Sequence, residues 1–302
     1  MSLPKVLRVF DPLGVYVGKL KPDARRWSIA RRMSKKLDPT LVARQLSATQ
    51  IRKFQSAAGL LDFIFRCAPK KYEAVVRQLD WAKLDAEIGN DWADPSHETE
   101  VLLGLLSLHE ATRAIVADFI AARADRIQEL PPRLVLLAPE AGIAHVAAGK
   151  RLRLARFGHL EWDMGALALY IIGESRPDLV EAAARPFIGN IAKSLESYNR
   201  NFAGEAEPLI RVLIDKAPSV WAEVLSTLDV DVSEKSLVDC LGKGGSHQRA
   251  AALVIESALQ MEGPIREMAH RLRKRFPKGS IPPTASPLYV SRRRRRSRRT
   301  KK

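Results

Sequence analysis

The chain has 302 residues, of which 46% are apolar and 28% charged, and a formal net charge of +16. That apolar content suffices for a core, and the abundance of Ala and Leu favours helices. Two cysteines in apolar surroundings, Cys67 and Cys240, argue against a disulfide framework or a zinc site, and apolar runs broken well short of twenty residues exclude a membrane-spanning helix.

Residues 1–22 hold two β-rich runs, Val6 to Phe10 and Val15 to Val17, around Asp11-Pro12-Leu13-Gly14. The spacing predicts a short N-terminal β-hairpin. Residues 23–56 read as a basic amphipathic helical segment. In its first helix, over 23–37, Trp27, Ala30, Met33 and Leu37 line one side, and Arg25, Arg26, Arg31, Arg32, Lys35 and Lys36 fill the other. Asp38-Pro39 ends that helix, and a second is expected over 40–56 with Leu41, Leu46, Ile51 and Phe54 inward.

From residue 57 to 276 the chain is a series of apolar helical stretches broken by Pro or Gly. Residues 57–88 align without gaps on 206–237. Ala57, Leu60, Ala68, Pro69, Val75, Leu79 and Asp80 meet identical Ala206, Leu209, Ala217, Pro218, Val224, Leu228 and Asp229, while Tyr72 meets Trp221 and Ile88 meets Leu237. Weaker copies centre on Glu110, Arg176-Pro177 and Gly263-Pro264, so breaks recur about every forty residues, the length of a helical-repeat unit. An all-α chain built as a two-helix repeat solenoid is the expected architecture. On this pattern, residues 57–276 resemble HEAT-like α-helical repeat proteins. They are more loosely similar to the helical arrays that follow the nucleotide-binding module in large bacterial signalling and defence NTPases, although no such module is present. The resemblance implies a scaffold or a recognition surface, and no substrate.

Residues 277–290 form a Pro-rich linker, expected to be extended. The chain then runs through Arg292, Arg293, Arg294, Arg295, Arg296, Arg298, Arg299, Lys301 and Lys302, a tail expected to be disordered. These nine cations stand with no acid among them. Residues 1–56 carry thirteen Lys or Arg against three Asp, which leaves the stretch between the two ends at −3. A cleft that steers an anionic substrate concentrates charge around itself, whereas excess charge at both ends suits two arms that hold a polyanion.

Motifs for chemistry are weak. Gly242-Lys243-Gly244-Gly245-Ser246 lacks the order and the preceding strand of a phosphate-binding loop, and reads as an inter-helix turn with Ser246 capping the next helix. His159, Glu161, Asp163 and Glu140 form a polar stretch that could in principle move protons, but such residues more often cap helices. Asp229 recurs as Asp80, which points to a helix cap. Trp81, Trp92, Trp162 and Trp221 fall at core spacing; Trp27 alone lies amid cations. The expectation is therefore a non-enzymatic protein without metal or cofactor that binds nucleic acid, DNA or RNA, through Arg25, Arg26, Arg31, Arg32, Lys35, Lys36 and the tail cations. The alternative is an adaptor whose repeat array holds a protein partner while the tail only localises it. With no long apolar run after Met1, a secretory signal is not expected, and a reducing cytoplasm (or a nucleus, in a eukaryote) is the expected setting.

Overall fold

The computed structural model describes residues 32, 35–47, 54–156, 159–197, 202–243 and 245–274. The hairpin expected over 1–22, most of the helix expected over 23–37 and the linker and tail of 277–302 lie outside these residues. The described residues are predominantly helical, as an all-α chain requires, and the chain divides into two compact units, Met1–Leu152 and Arg153–Lys302.

The first unit holds α1 (Pro39–Ser47), α2 (Phe54–Cys67), α3 (Pro69–Arg77), α4 (Trp81–Ile88), α5 (His97–Leu106), α6 (Glu110–Ala121), α7 (Pro132–Leu137) and α8 (Pro139–Ala147). Its two-residue strands β1 (Glu129–Leu130) and β2 (Arg151–Leu152) pair in parallel, Glu129 opposite Arg151, across the α7–α8 connection. The second unit opens with an antiparallel pair, β3 (Ala155–Arg156) and β4 (His159–Leu160). There follow α9 (Trp162–Ser175), α10 (Pro177–Ala184), α11 (Ile188–Glu196), α12 (Phe202–Lys216), α13 (Pro218–Thr227), α14 (Val230–Lys243), α15 (Gly245–Ala258) and α16 (Pro264–Arg273). Neither strand pair was expected from the sequence, because two-residue strands are too short to show an alternating pattern.

The breaks at 69, 110, 177, 218 and 264 are all first residues of helices. Four joints share one geometry. Ala68, Ala138, Arg176 and Ala217 each precede a Pro, with φ between −153° and −138° and ψ between 56° and 77°. Proline pushes the residue before it out of the helical region. Yet little hydrogen bonding is lost. The Ala68 N–H donates to Ile64 O at 2.8 Å and its carbonyl accepts from Tyr72 N at 3.0 Å; Ala217 repeats this with Leu213 and Trp221 at 2.9 and 3.0 Å. The proline that follows takes the first helical position, where an N–H would have no partner in any case. A helix thus turns sharply in one residue and keeps its backbone satisfied.

The two aligned stretches carry this joint between the same elements. Tyr72 and Trp221 are both buried behind it, as are Val75 and Val224, and Ile88 and Leu237. Asp80 accepts from Lys83 N at 2.9 Å and Asp229 from Val232 N at 3.1 Å, each three residues on, so both cap a third helix, α4 or α14. A third helix, α11, likewise follows α10, which a period of two helices does not contain.

Distance along the chain governs which parts touch. Many of the longer-range side-chain hydrogen bonds span 33 to 42 residues, while Lys150 to Asp125 is 25 apart and the Arg273–Glu256 ion pair 17 apart. Helices follow the same rule. In the second unit α9 packs on α12 and α12 on α15; in the first, α2 packs on α5 and α3 on α6.

One burial expectation is corrected. Leu41 points outward, 47% exposed, while Val42 and Ala43 face the core. With α1 beginning at Pro39 and lying on α3, the buried stripe is set by that contact. One residue of phase error rotates a helix position by about 100°. Ile51 and the Phe54 side chain lie outside the described residues.

Candidate nucleic-acid interface

Of the cations assigned from sequence, Arg32, Lys35 and Lys36 are described, and all three are exposed. Arg25, Arg26, Arg31 and the tail cations Arg292 to Lys302 lie outside the described residues. The chain on either side of Lys36 is anchored. Leu37 is buried. The Lys71 ammonium, in the first turn of α3, donates to the carbonyls of Lys35 at 2.5 Å and Leu37 at 2.7 Å. Asp38 accepts from Thr40 N at 2.9 Å as α1 begins, and the Thr40 hydroxyl donates to Gln78 Oε1 at 2.8 Å. Residues 35–40 are therefore tied to α3 at its start and just past its end.

This contact brings further cations to the same place. Lys70, exposed at the second position of α3, stands beside Lys71. Neither was singled out from sequence, because Pro69-Lys70-Lys71 lies inside the nearly neutral body. The signal was the pair of lysines directly after a helix-starting proline. Arg32, Lys35, Lys36 and Lys70 have no ion-pair partner among the described residues, unlike Arg77, which is paired with Glu73 at 2.9 Å.

The weaker candidates resolve into structural roles where they are described. Trp92 is fully buried and donates from Nε1 to Asp85 at 2.9 Å, and Arg123 donates to the same carboxylate at 2.9 Å and lies 4.0 Å over the Phe119 ring. The Arg123 hydrogen bond, ahead of other causes, holds the Asp85 carboxyl below its ordinary range. Trp162 and Trp221 are buried. His109 caps α6 through Nδ1, which accepts from Ala111 N at 3.2 Å. Gly245, at φ 60°, adopts the left-handed conformation of a turn, and a helix, not a strand, precedes Lys243. Ser246 is the second residue of α15, inside its first turn and not at its cap position. Glu140 stands on α8 in the first unit, whereas His159, Glu161 and Asp163 belong to the second. Among the described residues, no three His, Cys, Asp or Glu side chains are placed to hold a metal ion, and no helix is long and apolar enough to cross a membrane.

Comparison with known proteins finds no matching family model, no matching curated protein and no matching solved structure.

Proposed function

We propose that this chain is a non-enzymatic helical-repeat protein that binds nucleic acid through its basic ends. The observation that carries the reading is the segregation of charge: +9 over the last twelve residues, +10 over the first fifty-six and −3 between. Arg guanidinium pairs with phosphate oxygens in a bidentate manner, and a run of such groups finds complementary spacing on a nucleic-acid backbone. The contacts would be to phosphates, which position a protein without reading sequence.

Each unit is proposed to be a short α-solenoid, HEAT-like in its logic of stacked helices. The recurrence of hydrogen bonds between positions about forty apart supports this, since a stack touches its neighbours in the series. A second reading rests on the near neutrality of that body: its surface holds a protein partner, and the basic ends deliver the complex to a polyanion.

The test compares the full chain with one ending at residue 290, using a nonspecific duplex and a single strand at fixed, moderate salt. The proposal expects at least a tenfold weakening on truncation, the scale on which several lost phosphate contacts act. Equal affinity would remove the tail's role. Retention of a protein partner by a chain with both basic ends neutralised would favour the adaptor.

A further inference from the structure

We infer that Lys70, with Lys35 and Lys36, forms a fixed phosphate-contacting surface on the first unit; the inference rests on the nucleic-acid reading above. Lys71 is committed to holding the backbone, with its ammonium on the carbonyls of Lys35 and Leu37. That commitment draws the end of the basic N-terminal segment against the first turn of α3. Lys70 is the next residue on that turn, is exposed, and has no acidic partner among the described residues.

Of the acids close by in sequence, Glu73 is paired with Arg77 at 2.9 Å, and Asp38 keeps its charge while it caps the start of α1, accepting from the Thr40 amide at 2.9 Å. Lys35, Lys36, Lys70 and Lys71, from two parts of the sequence, thus gather with the carboxylate of Asp38 among them, at the positive end of the α3 dipole. Burial of Leu37 and the Thr40–Gln78 bond hold the arrangement from the other side.

The chemistry selects backbone phosphate. Lysine ammonium groups are compact point charges with three rotatable donors, which meet a phosphate oxygen without demanding one fixed geometry. Their position is set by the fold, so this surface would fix where the strand lies on the first unit.

The experiment measures affinity of the full chain for a short nonspecific duplex as salt is raised, for wild type, Lys70→Ala and Lys70→Arg. Removing one phosphate contact should make the slope of log K against log salt shallower by about one. Lys70→Ala is expected to show that change with an unaltered thermal midpoint, because the side chain is exposed, and Lys70→Arg to retain the wild-type slope. A Lys70→Ala slope equal to wild type overturns the inference and leaves the broader reading standing. A full chain that leaves the duplex unbound even at low salt overturns both. Lys70-dependent binding to phosphatidylserine vesicles, without binding to the duplex, would replace nucleic acid with a membrane surface as the ligand.

Discussion

Asp80 and Asp229 perform one task at equivalent places, each accepting the amide three residues on at the start of a helix. Replacing either with Ala should cost about 1 kcal/mol, read as a lower urea midpoint of similar size for the two variants. Tyr72, buried beside the Ala68 joint, donates its hydroxyl to Leu105 O and accepts from Leu108 N at 3.3 Å, and burial pushes its phenol up to about 12. Tyr72→Phe leaves two backbone groups without that hydroxyl and should cost about 1–3 kcal/mol. His145 is buried and bonds Arg151 O through Nε2 at 3.1 Å; burial, ahead of the nearby Lys150 charge, lowers its pKa. The folded state therefore binds fewer protons at this site than the unfolded chain. Its contribution to stability is complete above the unfolded value of about 6.5 and declines as pH falls below it. The urea midpoint should drop between about pH 7 and pH 5, and His145→Gln should flatten that part of the profile. At this scale the caps were legible because a gapless internal match set Asp on Asp. The placing of Lys70 beside Lys35 and Lys36 was not, because it comes from the Lys71 contact with a segment some thirty-five residues away and not from neighbours in sequence.

Seven of the described helices open on proline, at Pro39, Pro69, Pro132, Pro139, Pro177, Pro218 and Pro264. At Ala68-Pro69, Ala138-Pro139, Arg176-Pro177 and Ala217-Pro218 one residue outside the helical region separates two helices and keeps its own backbone bonded to both. Three of these joints could be read from the sequence, where an apolar stretch meets Pro and a second apolar stretch follows. The fourth, at Pro139, sits behind a helix of only six residues, too short to show a helical period. The same region illustrates close packing. A Cβ added at Gly142 of α8 would meet Val135 Cγ1 of α7 at 2.8 Å. Gly142→Ala should therefore lower stability by about 1–3 kcal/mol despite the better helix propensity of Ala. Combining it with Val135→Ala should cost less than the sum of the single changes, since the two sites share the contact. The short strands at 129–160 escaped the sequence for the same reason of length, and the phase of α1 escaped because contact with α3 selected Val42 and Ala43 over Leu41.

Taken as a whole, the molecule combines a helical body of small net charge with strongly basic ends. The helical class was open to inspection in the sequence, because proline punctuation and apolar period are local signals. The cationic ends were equally plain as composition. What composition could not supply was the anchoring of residues 35–40 on α3, which depends on Lys71 and Gln78 meeting chain from an earlier segment. This division predicts that binding is driven by released counterions and not by a shaped pocket. The most direct test is the salt dependence of full-chain affinity for a nonspecific duplex. If the basic ends hold phosphates, the slope of log K against log salt should be steep, about −5 or beyond. A slope near zero, or no binding at low salt, would contradict the account.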